Sequence, residues 1–346
     1  MDILPIAAIL TQDGVTSGAI YTLLALALVL VFVVTRVIFF PQGEFITYGA
    51  LSLVMLQLGK IPPTVWALLG LGVLATVAEL AAALRRGHHR RIPKIVGWNL
   101  GVPTLVTVLV CWAAPRHLPL VAQAILVLAV VTPMGPLLYR VIYQPMAEKS
   151  VLVLMIVSVG VHFVMLGLGL LFFGPEGAHT PPFWDTRLEF GNLSISGQSV
   201  VVVVTTLVLI AMLWLFFEHS FYGKALRATA VNRLGARLLA ISTDFAGKLS
   251  FALAAFIGSL CGLLIAPITT IYYDSGFLIG LKSFVAAVIG GLASYPLTAL
   301  GALFIGLLES FSSFGASSYK ESIVFLLVIP VLLWLSLSGG GQVEEE

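Results

Sequence analysis

The chain has 346 residues, of which 59% are hydrophobic and only 10% charged, and its formal net charge at pH 7 is +2. An apolar fraction this high excludes a soluble globular fold. The net charge by itself says little, but the clustering of Lys and Arg between apolar runs carries topology, and no nucleic-acid partner is expected.

Apolar runs between polar breaks predict an all-α polytopic membrane protein with about eleven helices, at 14–35, 44–58, 63–84, 95–113, 119–138, 150–173, 200–217, 248–270, 279–293, 297–313 and 321–337. A membrane barrel would need segments of about ten residues alternating apolar with polar. Runs such as Gly18–Val34 and Val200–Phe217 are apolar on every face, which rejects it. The segment Met1–Asp13 lacks a basic flank and no small-residue cleavage site follows, so the first apolar run is expected to stay as a helix. Cys111 and Cys261 lie inside apolar runs and behave as small hydrophobes.

The break before the second helix reads Gln42-Gly43-Glu44. Glu44 suits a helix N-terminus as a cap. The same residues could break the helix beside a substrate path, where irregular backbone at membrane depth is tolerated. Next comes the basic cluster Arg85, Arg86, Arg90, Arg91 and Lys94. If it is cytoplasmic, strict alternation places 13 of the 18 Lys and Arg inside, with the N-terminus outside and the C-terminus inside. His88 and His89 sit among these arginines, where a solvated loop is expected and a metal site is not.

Two long polar segments remain. The outer one, 174–199, is rich in Pro, Gly and aromatics, and Arg187–Ser196 alternates as a short hairpin does. The inner one, 218–248, is basic and carries an amphipathic stretch, Ala225–Ile241, with Leu226, Leu234, Leu238 and Ile241 at helical spacing. A short interfacial helix there could meet lipid phosphates or dock a cytoplasmic partner.

In this loop Phe221-Tyr222-Gly223-Lys224-Ala225-Leu226-Arg227-Ala228, continuing to Leu239-Ala240-Ile241-Ser242-Thr243-Asp244, resembles the cytoplasmic loop of branched-chain amino acid ABC permeases of the LivH/LivM type. Three other segments are similar to that family in the same order: Gly18–Leu23 with Phe40–Phe45, Tyr139–Pro145, and Gly280–Pro296 continuing to Gly301, Gly306 and Glu309. The chain departs from the shorter type by about two extra helices within 85–138, and by Phe-Pro-Gln-Gly at 40–43 where the family has a Phe-Ala-His-Gly-like run.

The resemblance implies a single permease domain over 1–346 in a bacterial inner membrane, moving branched-chain amino acids, or related amino acids or amides, by alternating access. Expected partners are cytoplasmic ATPase subunits, a second permease subunit, an external solute-binding protein, an amino acid substrate and membrane lipid. ATP belongs to the partner, and no cofactor is expected on this chain. Lys224, Arg227, Asn232, Arg233, Arg237 and Asp244 are the implied ATPase-coupling residues. Gln42, Gly43, Glu44, Ser283, Gly290, Gly291 and Glu309 are the candidate path residues. Gly290 and Gly291 could equally serve close helix packing.

No Walker A loop, metal motif or nucleophile triad is present, so catalysis by this chain is not expected. Glu79 and Glu309 stand in apolar helices, where an ionised carboxylate is costly unless paired or hydrated. Lys282 and Asp274 are expected near the outer surface, snorkelling or paired with each other. The alternative is an ion-coupled transporter or channel, which would have to use Glu44, Glu79 and Glu309.

Overall fold

The computed structural model describes residues 3–85, 92–116, 118–190, 193–327 and isolated positions as far as 337. His88 and His89, with Arg86, Arg90 and Arg91, lie outside the described residues. Three helices open the chain: α1 (Ile3–Thr35), α2 (Gln42–Gln57) and α3 (Thr64–Arg85). Three more follow, α4 (Ile92–Arg116), α5 (Leu120–Met146) and α6 (Val151–Phe173). A two-stranded hairpin then pairs β1 (Arg187–Phe190) with β2 (Leu193–Ser196), Arg187 opposite Ser196, where alternation predicted it.

The second half contains α7 (Gly197–His219), α8 (Phe221–Val231), α9 (Arg233–Leu238), α10 (Thr243–Ile265), α11 (Ser275–Ile289), α12 (Tyr295–Gly315) and α13 (Lys320–Leu326). Eight of these helices are long and apolar enough to cross a membrane, among the described residues. The protein is therefore an all-α polytopic membrane protein. Helices α2 and α11, of 16 and 15 residues, are too short to join that count.

Burial sorts the helices. In α1 the most apolar stretch is 89% buried, and 13 of the 16 residues of α2 are buried, whereas α7 turns most of its apolar surface outward. Small residues let the central backbones meet, because lipid tails give apolar side chains no reason to prefer protein. A Cβ on Gly262 would stand 2.1 Å from the carbonyl oxygen of Ile46, and one on Gly306 would stand 2.4 Å from the backbone of Gly14 and Gly18. Beneath α2, the rings of Phe39 and Phe251 lie 4.6 Å apart, with Tyr143 edge-on to Phe39 at 5.8 Å.

Three expectations change. The amphipathic stretch Ala225–Ile241 is two helices, because Asn232 leaves helical geometry (φ −150°) and caps α9 through the N–H of Gly235 at 2.7 Å. Helix α10 begins five residues before its predicted start, capped by Ser242 Oγ accepting from the N–H of Phe245. Lys282 is buried, not at the outer surface, and its partners are Glu309 and Glu321 instead of Asp274.

Candidate substrate path and coupling surface

Helix α1 ends at Thr35, and Arg36 turns the chain with φ 61°. Residues 36–41 then return along α1, for Gln42 Nε2 donates to the carbonyl oxygen of Leu24 at 3.1 Å. Leu24 precedes the end of α1 by about 16 Å of helix at 1.5 Å per residue. Helix α2 thus opens inside the bundle, where the N–H groups of Gln42 and Glu44 donate to the carbonyl oxygens of Phe39 at 3.2 Å and Pro41 at 3.0 Å.

Gln42, Gly43 and Glu44 form that first turn and are all buried. A Cβ on Gly43 would meet the carbonyl oxygen of Gly276 at 2.3 Å, so α2 and α11 touch backbone to backbone. Next to this contact Gln42 and Ser283 line one small cavity with Phe40, Phe277, Phe284 and Leu24. Ser283 donates to the carbonyl oxygen of Ile279 at 2.9 Å, and Gln42 Oε1 is buried with no partner among the described residues. The cavity volume is about 10 Å³, the space of one water, and the rings of Phe40 and Phe284 stand 5.6 Å apart beside it. Helices from three parts of the sequence converge on a polar point that is closed.

Glu44 points elsewhere. Its Oε1 lies 3.0 Å from Nδ1 of His162 on α6, and His162 stacks on Phe277 at 4.4 Å. Neither group has access to water: Glu44 is 0% and His162 4% exposed. His162 was not singled out from sequence, although it is the one titratable side chain in an otherwise apolar span, a standard flag of function.

Glu309 and Lys282 form a second buried polar group. Lys282 Nζ lies 2.6 Å from Glu309 and 3.1 Å from Glu321, and the Tyr21 hydroxyl donates to Glu309 at 2.5 Å. This joins α1, α11, α12 and α13. Glu309 does not line the Gln42 cavity, nor do Gly290 and Gly291. Gly290 packs on α12, where a Cβ would fall 2.0 Å from Thr298 Oγ1. Gly291 takes φ 63° and stops α11.

The inner loop is built differently. Leu226 of α8 is buried against Leu30, Val34 and Ala246, and Ser220 caps the helix at the N–H of Gly223. Arg227 stays at the loop's own base, on the carbonyl oxygen of Phe217 and on Glu218 at 2.8 Å. Arg233 donates to the carbonyl oxygen of Ala147 at 3.0 Å, while Arg237 reaches Glu148 at 3.5 Å and Thr243 at 3.2 Å. These arginines staple α9 to the turn between α5 and α6. Lys224 is exposed, and Asp244 lies in the first turn of α10. What the loop presents outward is apolar: Val231, Leu234, Leu238 and Leu239 are 86, 69, 82 and 76% exposed.

Residues 95–333, which contain both the α11 wall of the cavity and this loop, match the family model for the permease component of the branched-chain amino acid transport system. The chain belongs to that family. It is 27% identical to the high-affinity branched-chain amino acid transport system permease protein LivH of Escherichia coli K12, over 96% of this chain and 95% of the relative. It is 32% identical to the permease protein BraD of Pseudomonas aeruginosa, over 60% of this chain and 70% of the relative. A probable LivH of Methanocaldococcus jannaschii is 25% identical over 55% and 65%. No solved structure matches. In this permease family member, Gln42 and Ser283 line one cavity beside Gly43, while Arg227, Arg233 and Arg237 of the inner loop each take a different partner.

Proposed function

We propose that the chain is the membrane-spanning permease subunit of an ATP-driven importer of branched-chain amino acids. The observation that carries this is the inner loop, anchored on α1 through Leu226 and on the α5–α6 turn through Arg233 and Arg237, with an unburied apolar ridge outward. An apolar ridge on a rigid mount beside basic side chains is a docking element, since apolar residues facing water are otherwise unfavourable. A force on the loop passes to α1 through Leu226 of α8, and from α9 to the α5–α6 turn through Arg233 and to α10 through Arg237.

ATP hydrolysis is assigned to a cytoplasmic ATPase that grips this ridge, with a second permease subunit completing the pathway and a solute-binding protein delivering substrate from outside. The basic loops put the N-terminus outside and the C-terminus in the cytoplasm of a bacterial inner membrane. The substrate crosses at the Gln42 and Ser283 cavity, where one amide and one hydroxyl can replace water around an ammonium or carboxylate and the Phe40 and Phe284 rings suit a branched side chain.

The experiment is reconstitution of the chain with its ATPase and binding protein in liposomes. Leucine uptake that requires internal or external ATP at the ATPase face supports the proposal. Uptake at the same rate without the ATPase, driven by an imposed ion gradient, overturns it in favour of a secondary transporter.

A further inference from the structure

A larger cavity, about 790 Å³, opens between the end of α3, the start of α4, the end of α5 and the first turns of α10. Its charged lining is Glu79, Lys94, Arg140, Asp244 and Lys248, and Trp98 forms its outer wall. Glu79 is neutralised within the wall: Arg140 Nε lies 2.6 Å from one oxygen, Asn99 donates to the other at 3.1 Å, and Arg140 also bonds Asn99. Both partners sit on π-helical turns, Asn99 in Gly97–Gly101 and Arg140 in Tyr139–Tyr143. Such wide turns are frequent at functional positions in helices.

With Glu79 and Arg140 spent on each other, two ammonium groups and one carboxylate remain among the described lining residues. Among the described residues, none of Lys94, Lys248 and Asp244 enters an ion pair. Lys248 is half-buried one turn beyond Asp244 on α10, and Trp98 is 65% exposed on the apolar flank of α4. Tryptophan in that position belongs to the boundary between headgroups and hydrocarbon. A ligand complementary to this lining carries one phosphate-like anion, one hydrogen-bonding cation and an apolar tail.

We propose that this cavity binds the headgroup of phosphatidylethanolamine. Lys94 and Lys248 hold the phosphodiester, Asp244 accepts hydrogen bonds from the primary ammonium, and Trp98 lies along the glycerol and acyl region. Phosphatidylglycerol leaves Asp244 facing an anion with no cation. Phosphatidylcholine offers Asp244 a quaternary ammonium with no N–H to donate. The site gives α4 a role, since Lys94 and Trp98 come from it, and it places a lipid at the first turn of α10, directly after the inner loop. It stands apart from the transport reading, because lipid retention is measured without uptake.

The test uses the full chain purified in detergent with its associated subunits, with dioleoyl phosphatidylethanolamine, phosphatidylcholine and phosphatidylglycerol added in turn and retained lipid counted by native mass spectrometry. The expected result is retention of the ethanolamine lipid about fivefold or more over the other two, as a charge-assisted hydrogen bond gives. Lys94→Ala with Lys248→Ala should lower that retention by about tenfold. Asp244→Asn should erase the preference over phosphatidylcholine while both lipids still bind. Unchanged melting of each variant in lipid-free detergent separates lost binding from lost folding. Equal retention of the three lipids by the parent protein overturns the proposal, as does unchanged selectivity in well-folded variants. Binding of soluble glycerophosphoethanolamine without any gain for the lipid reassigns the site to a water-soluble ligand and overturns it too.

Discussion

Helix α2 and the α8–α9 pair depart from ordinary burial in opposite directions. In α2 the polar residues Gln42, Glu44, Thr47 and Ser52 are among the most buried in the molecule, while in α8–α9 the apolar residues Val231, Leu234, Leu238 and Leu239 face outward. Burying polar groups is costly unless they are paired, and exposing leucines forfeits burial, so neither arrangement serves stability alone. On the proposed function the two costs have different uses. A polar point inside the bundle can exchange water for a zwitterionic solute, and an apolar ridge outside it can recruit a partner.

Substitutions that restore ordinary burial in each region sharpen this contrast. The largest effect is expected from Gly43→Ala, whose Cβ would overlap the Gly276 carbonyl at 2.3 Å and force α2 from α11. Overpacking of this kind costs about 1–3 kcal/mol where neighbours can yield, and backbone cannot. Uptake should be lost and melting lowered; parental uptake would show that the α2–α11 contact is no part of the path. Next is Leu234→Asp with Leu238→Asp. Both positions are exposed, so stability should change by under about 0.5 kcal/mol, while ATPase co-purification should fall about tenfold, as for loss of an interface anchor. Full retention of the ATPase would remove the ridge as its docking point. The smallest effect is expected from Arg237→Ala. Its bond to Glu148 spans 3.5 Å and Glu148 is 83% exposed, a pair worth about 0–1 kcal/mol. A large drop in melting temperature there would mean that the loop is clamped far more tightly than its geometry indicates.

The paired charges separate what pattern could reveal from what it could not. Glu79 and Glu309 are conspicuous in apolar runs because an unpaired carboxylate in hydrocarbon is costly. Their partners are not conspicuous. Arg140 and Asn99 reach Glu79 from α5 and α4, Lys282 and Tyr21 reach Glu309 from α11 and α1, and Glu321 of α13 adds a second carboxylate to Lys282. His162 illustrates the same gap, being visible as an oddity in its span yet meaningful only beside Glu44. Asn232 shows a local failure: helical spacing of Leu226, Leu234 and Leu238 continues across it, but its side chain competes for the backbone and ends one helix to begin another.

Composition and run length by themselves determined that this is a polytopic helical membrane protein, because crossing hydrocarbon requires long apolar segments with internally satisfied backbones and leaves little freedom in how they are written. The ordered motifs pointed to the permease family, to which the chain belongs. Only the tertiary structure decided that Gln42 returns to the level of Leu24 and meets Ser283, that Glu309 is held by Lys282, and that Leu226 is inside while Leu238 is outside. Inside a membrane every helix face is apolar, so hydrophobic periodicity no longer says which face meets protein. That choice is made by glycine contacts and polar pairs between segments distant in sequence.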